Sequence, residues 1–171
     1  ELLGGILPNN ENACIEFLKG NLQLQDILIQ TPIGLRVLLH AEFMVNNGAA
    51  KWNRKEQLQK ELSKLGEADY VIIHLPTGIT KESIPYIAGS DWLYVVSTPD
   101  IEAVRDTYGM IKAITQRVRN DLIPNTYLVI NKSQSDDSSG TLAKRLENGV
   151  QQFLNQNLTY TGAIPMDEAV R

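Results

Sequence analysis

Short apolar runs without polar alternation constrain the fold of this chain more than any other feature. The runs occupy residues 35–39, 70–73, 92–96, 127–130 and 160–164 of the 171-residue sequence. Strands that are apolar on both sides are typical of a parallel sheet whose two faces are covered by helices. Helix-like segments separate the later runs, so the sequence predicts an α/β fold with three layers and a mostly parallel, doubly wound sheet.

Three segments beside these runs carry apolar residues at helical spacing. The first covers residues 54–65. The second is predicted to be capped by Ser97 or Thr98, with Pro99 at its first helical position. The third follows a loop-like stretch over residues 133–139. The apolar positions are Leu58, Leu62 and Leu65 in the first segment, Ile101, Val104, Tyr108, Ile111, Ile114 and Val118 in the second, and Leu142, Leu146, Val150, Phe153 and Leu154 in the third.

Composition and charge argue against several classes of protein. The formal net charge of -4 at pH 7 disfavours a dedicated nucleic-acid binder. No apolar run reaches the roughly 18 residues that a membrane span needs, and no signal peptide opens the chain. The single cysteine, Cys14, cannot form an internal disulfide, which indicates a reducing, cytoplasmic compartment and a buried apolar side chain. We expect one domain over residues 1–171.

Loops at the carboxyl ends of the strands are the places where open parallel sheets bind ligands. In this chain they are residues 74–78, 97–99, 131–132 and 165–167. The Asn131 carboxamide offers a donor and an acceptor, which at a strand end can read the edge of adenine; a turn or a cap is the alternative role. Gly78 either lets the backbone approach a phosphate or forms an ordinary turn after Pro76.

The same loops resemble motifs of the MinD/ParA ATPases, a family with a deviant phosphate-binding loop (the SIMIBI class). Residues 69–79 resemble the second switch strand of the family, and residues 91–106 resemble its strand, threonine–proline and helix unit. Asn131 and Lys132 resemble its base-recognition corner, and residues 162–170 resemble its closing Gly-x-Ile-Pro-x-Asp loop. Within the family, the motifs are most similar to the flagellar-number regulators of the FlhG/FleN type and to MinD.

The resemblance implies a switch protein that holds ATP or ADP with Mg²⁺ and sandwiches ATP between two subunits of a homodimer. It implies a role in the placement or number of a cell structure, such as a flagellum or a division site. Implied partners are proteins of a flagellar, division or pilus system, with peripheral contact at the inner membrane face through a segment beyond this chain. The implied nucleotide-binding residues are Pro76, Gly78, Asn131, Lys132, Pro165, Met166 and Asp167.

Three departures from the family pattern limit what the resemblance implies. The sequence contains no Gly-x-x-x-x-Gly-Lys-Ser/Thr loop, so the phosphate-binding lysine and the central strand before it are expected upstream of Glu1. His74 stands at the position of the switch aspartate, and imidazole is a poor ligand for Mg²⁺. We therefore predict no catalytic residue and no metal site, and leave ATP hydrolysis open.

Two alternatives follow from these departures. The first is a degenerate, non-hydrolysing scaffold of the same superfamily that acts in pilus or secretion assembly or in localisation, and His74 is its chief support. The second is an unrelated doubly wound enzyme or a response-regulator-like module. An acidic cluster at a strand end would favour the latter, whereas Asp136 and Asp137 lie beyond the end of their strand.

Overall fold

The computed structural model describes residues 11–38, 60, 68–81, 83–134 and 136–170. The chain forms two compact units, Glu1–Ile72 and Ile73–Arg171. Of the helix expected over residues 54–65, only Lys60 is described, and it is helical. The Cys14 side chain lies outside the described part, and the single domain stays a prediction. Among the described helices, none has both the length and the apolar character that crossing a membrane requires.

The elements that the structure describes in full in the first unit are two helices and a short hairpin. They are α1 (Glu11–Lys19), α2 (Leu24–Ile27), β1 (Ile29–Gln30) and β2 (Arg36–Val37). Helix α1 ends where Gly20 adopts a left-handed conformation with φ of 85°. The Gly20 N–H donates to the Phe17 carbonyl at 2.9 Å, which satisfies one of the last carbonyls of the helix.

The strand expected over residues 35–39 is present only as the two-residue β2, in an antiparallel hairpin. Ile29 of β1 lies opposite Val37 of β2. Gly34 takes a φ of 86° in the turn between them, so the chain reverses and β2 pairs with its immediate neighbour. Leu35, which the sequence placed in a buried strand, is 50% exposed.

The second unit is built on three parallel strands. The strands are β3 (Trp92–Ser97), β4 (Asn125–Ser133) and β5 (Leu158–Pro165), and the helices are α3 (Ile84–Ala88), α4 (Ile101–Arg117) and α5 (Asp136–Leu154). Short 3-10 turns cover Asn120–Leu122 and Glu168–Val170. Strand β4 lies between β3 and β5, and both pairings are parallel. The α/β class and the parallel sheet predicted from the sequence are therefore confirmed.

Helices α4 and α5 cover one face of this sheet. Leu128 and Ile130 of β4 are 0% exposed and belong to one cluster with Ile111 of α4 and Val150 of α5. Burying a side chain of this size contributes about 1.5–3 kcal/mol, so this cluster is a main source of stability. A second cluster joins α3 to the C-terminal half of α4 through Ile87, Ile114 and Val118.

The opposite face of the sheet is open along β3. Trp92, Tyr94 and Val96 are 50%, 56% and 61% exposed, and they alternate with side chains that point toward the helices. The Tyr94 ring stacks on the Tyr127 ring of β4 with 5.2 Å between the centroids. The expectation that every strand is buried on both faces is wrong for β3, because the described helices cover only the other face.

Residues 70–73, predicted as a strand, form no ladder in the described part of the chain. Val71, Ile72 and Ile73 are 47%, 92% and 41% exposed. An apolar run adopts strand structure only when a neighbouring strand satisfies its backbone N–H and C=O groups. No described strand provides that ladder, so the prediction is wrong for this segment.

Helix α4 begins later than the sequence predicted. Its first residue is Ile101, so residues 97–99 lie before the helix. Asp100, directly before Ile101, has an extended backbone, and no side chain forms a capping hydrogen bond there. Ser97 ends β3, and its hydroxyl accepts a hydrogen bond from Thr107 at 3.0 Å, which removes it from capping. Ile101, expected on the buried face, is 85% exposed. The other predicted apolar positions of α4 pack against one of the two clusters, as expected.

Helix α5 begins inside the stretch 133–139 that the sequence predicted as a loop. Its first residue is Asp136, and Ser139 is already 0% exposed. Phe153 was expected on the apolar face but is 69% exposed, close to the last turn of the helix. The remaining apolar positions of α5 pack against the sheet, as their spacing predicted.

Candidate functional site

The carboxyl end of β4 forms an irregular corner. The pairing with β5 shifts register between Ile130 and Ser133. Lys132 takes a left-handed conformation with φ of 55°, which is uncommon for a residue other than glycine. Its backbone N–H donates to Oδ1 of Asn131 at 2.9 Å. The Asn131 carboxamide is therefore held against the backbone of its own loop, and it is half-buried.

The loop after β5 is joined to this corner. Ser133 lies opposite Pro165 in the sheet, and the Met166 N–H donates to the Ser133 carbonyl at 3.0 Å. Because β4 and β5 are parallel, their carboxyl ends meet at one edge of the sheet. The structure thus brings Asn131 and Lys132 close in register to Pro165 and Met166.

Asp167 has a structural contact within this loop. Its Oδ1 accepts a hydrogen bond from the Ala169 N–H at 2.8 Å. This bond satisfies a backbone donor at the start of the turn Glu168–Val170, as a cap does at the start of a helix. The carboxylate is exposed, so its remaining acceptor positions face solvent.

The groups at this corner fit an adenine ring. An amide oxygen has two lone pairs, so Oδ1 of Asn131 can accept a second hydrogen bond besides the one from Lys132. Within the described residues, no partner is recorded for its Nδ2 donors. A carboxamide with one acceptor and one donor available matches N6 and N7 of adenine. Met166, which is 53% exposed, adds a flexible apolar side chain beside the corner.

A buried pair of hydroxyls fastens the corner to α5. Oγ of Ser133 and Oγ of Ser139 lie 2.6 Å apart, and the two residues are 4% and 0% exposed. Sequence reasoning missed this pair, because serines in a polar stretch are as common in loops as in caps. The only sequence signal is the position of Ser133 next to the predicted corner.

The loop with Pro76 and Gly78 is positioned by different contacts. Leu75 and Ile79 pack against the cluster of α3 and α4. Gly78 takes a φ of 84°, a conformation that favours glycine. In the described part of the chain, no backbone hydrogen bond links this loop to the corner at the end of β4.

His74, at the start of this loop, is exposed. The described residues contain no group of three or more His, Cys, Asp or Glu side chains that could hold a metal ion.

Two electrostatic features belong to groups away from the corner. Burial raises the pKa of the Tyr86 hydroxyl above its usual value, and this hydroxyl has no recorded partner among the described residues. Just beyond the C-terminus of α4, a hydrogen bond from Arg119 lowers the pKa of Asp121. Both groups of that ion pair are exposed, so it adds little to stability.

Comparison with known proteins gives several relatives. An uncharacterized ATP-binding protein of Methanocaldococcus jannaschii is 28% identical over 156 residues, covering 91% of this chain and 54% of that protein. Antiactivator FleN of Pseudomonas aeruginosa is 23% identical over 174 residues, covering 100% and 60%. Flagellum site-determining protein YlxH of Helicobacter pylori is 26% identical, covering 86% and 49%. No protein-family profile matches the chain. The chain thus spans from 49% to 60% of the length of these relatives.

Two solved structures share the fold. The ParA family ATPase of Chlorobium tepidum superposes with a TM-score of 0.67 at 16% identity, covering 98% of this chain and 65% of that one. The cell division ATPase MinD of Pyrococcus furiosus gives a TM-score of 0.60 at 15% identity, covering 92% and 62%. At these identities the likeness establishes the fold alone, which is the α/β architecture predicted from the sequence.

Proposed function

We propose that this chain is a MinD/ParA-type protein that serves an ATP-dependent switch regulating the placement or number of a cell structure, in keeping with the relatives and the fold to which it is similar. The observation that carries the proposal is the corner in which the Met166 N–H joins the loop after β5 to Ser133 at the end of β4. Two relatives support the nucleotide and the process, since one is named an ATP-binding protein and the other a flagellum site-determining protein.

Adenine is the base that this corner fits best. The Asn131 carboxamide can donate to N7 of adenine and accept from its N6 amino group. Guanine presents acceptors at both N7 and O6, so Oδ1 of Asn131 would face another acceptor. A well-placed bidentate pair contributes about 1–3 kcal/mol of discrimination between bases. We therefore assign ATP and ADP, rather than guanine nucleotides, to this site.

The loop with Pro76 and Gly78 is the proposed switch. Leu75 and Ile79 connect it to the cluster of α3 and α4, so a movement of the loop would change the contacts of α4. The family resemblance further supports a homodimer that forms with ATP and Mg²⁺ and then binds protein partners or a membrane surface. In this scheme, hydrolysis would release the dimer from its partner.

A second candidate function is a scaffold of the same superfamily that binds nucleotide weakly and does not hydrolyse it. His74, an exposed imidazole at the position of the switch aspartate, favours it. The two candidates differ in what Mg²⁺ does. A switch should bind ATP more tightly with the ion than without it, whereas a scaffold should show no such difference.

Calorimetry on the full-length protein tests the proposal. Titrations with ATP, ADP and GTP in the presence of Mg²⁺ should give micromolar binding of the adenine nucleotides and weaker binding of GTP. Asn131→Ala should weaken ATP binding by about 1–3 kcal/mol, which is roughly 5- to 150-fold.

The matched control is Asn125→Ala, because Asn125 is an exposed asparagine at the opposite end of the same strand. This variant should bind ATP as the wild type does. If a well-folded wild-type protein binds no nucleotide, or if the two variants lose affinity equally, the proposed function is refuted.

A further inference from the structure

Two contacts of the corner at the end of β4 involve the same residue, Ser133. The carbonyl of Ser133 accepts the Met166 N–H at 3.0 Å, which connects β4 to the loop after β5. The hydroxyl of Ser133 lies 2.6 Å from that of Ser139, which connects β4 to the second turn of α5. Ser133 thus fixes the distance between the sheet, the helix and the loop.

The residues just before Ser133 have little other support. The ladder between β4 and β5 is interrupted between Ile130 and Ser133. Lys132 sits in the left-handed region, and such a conformation persists only where the surroundings hold it. Lys132 is also exposed, so packing of its side chain does not supply that support. The hydroxyl pair is a buried contact directly beside this irregular segment.

The orientation of Asn131 depends on the same segment. Its Oδ1 is bonded to the Lys132 N–H, so any rotation of the Lys132 peptide moves the carboxamide as well. Base discrimination by a carboxamide requires both hydrogen bonds to be aligned in the plane of the ring. A small change in the backbone at Lys132 would therefore change the affinities for adenine and guanine nucleotides by different amounts.

We propose that the Ser133–Ser139 hydroxyl pair positions Asn131 for base selection. Ser139 is a positioning residue, since it lies on α5, is 0% exposed and acts through Ser133. The inference rests on the proposed function, because it concerns how the adenine site of that function gains its selectivity. It assigns to a buried serine of a helix a role in choosing the nucleotide.

The test compares Ser139→Ala with Thr126→Val in the full-length protein. Thr126 is 9% exposed, and its hydroxyl donates to the Pro124 carbonyl at 3.0 Å at the opposite end of β4. Both variants lose one buried hydroxyl on or beside the same strand. The readouts are the ratio of ATP to GTP affinity and the hydrogen exchange of the Met166 amide without nucleotide.

Ser139→Ala should lower the preference for ATP over GTP roughly tenfold, within the range that a bidentate base contact provides. Its Met166 amide should exchange roughly tenfold faster, since local opening governs such exchange. Thr126→Val should keep the wild-type values of both quantities. If Ser139→Ala does not fold, Ser133→Ala removes the same contact from the strand side and carries the same expectation.

The possible failures are distinguishable. If the wild-type protein binds ATP selectively and Ser139→Ala keeps both the ratio and the Met166 exchange rate, the inference is overturned while the proposed function stands. Equal changes in Ser139→Ala and Thr126→Val would also overturn it, since the effect would then reflect general loosening. If the wild-type protein binds no nucleotide, the proposed function and the inference fail together.

Discussion

Replacing Leu128 with alanine is the sharpest test of how α4 and α5 pack on the sheet. Leu128 is 0% exposed and lies in a cluster with side chains from β4, β5, α4 and α5. Leucine-to-alanine changes in cores cost about 2–5 kcal/mol, depending on how far the neighbours relax into the cavity. Neighbours on four elements restrict that relaxation, so we expect a loss in the upper half of this range, about 3–5 kcal/mol.

The assay is urea unfolding followed by far-ultraviolet circular dichroism, with the slope of the transition compared between variants. Leu122→Ala is the matched control, because Leu122 is 44% exposed and lies outside both clusters. A change at such a surface position should stay within about 0.5 kcal/mol. Equal losses in the two variants, or a loss of less than about 1 kcal/mol for Leu128→Ala, would refute the described packing.

Two further predictions concern His74 and Tyr86. In the full-length protein, His74→Asp should strengthen Mg-ATP binding measured by calorimetry, because a carboxylate suits Mg²⁺ or its water shell; unchanged affinity would mean that the switch loop is not at residues 74–78. Burial raises the pKa of the Tyr86 hydroxyl in the folded state above the usual tyrosine value of about 10. The stability that the protonated hydroxyl contributes is therefore fully present below about pH 10 and is lost as the pH rises through the folded-state pKa. Tyr86→Phe should therefore lose less stability than the wild type between pH 7 and about pH 10.5 in urea unfolding, and equal losses would contradict this account.

The parallel sheet could be predicted because its evidence is local. Residues 92–96 and 127–130 are apolar runs of strand length, and the spacing of Leu146 and Val150 fixes the buried face of α5. These patterns depend on the geometry of a strand or a helix and not on distant partners. The positions of Asn131 and Pro165 at one edge followed from the same topology, because parallel strands place their carboxyl ends together.

The errors occurred where burial depends on another part of the molecule. Residues 70–73 and the outward side of β3 have the composition of buried strands, yet Ile72 and Val96 are 92% and 61% exposed. The type of a residue gives its tendency to be buried. Whether it is buried in the fold depends on whether another helix or strand packs over it. The Ser133–Ser139 pair escaped prediction for a related reason, because a hydroxyl contact between a strand and a helix leaves no periodic pattern in the sequence.

The open side of β3 gives the protein an optical reporter of its own. The Trp92 indole is 50% exposed beside the stacked rings of Tyr94 and Tyr127. Indole emission moves to shorter wavelengths when water is excluded from the ring, so a surface that covers β3 would shift the emission of Trp92. If the second tryptophan, Trp52, is replaced by phenylalanine, the emission maximum of Trp92 would report the solvent exposure of β3 without an added label.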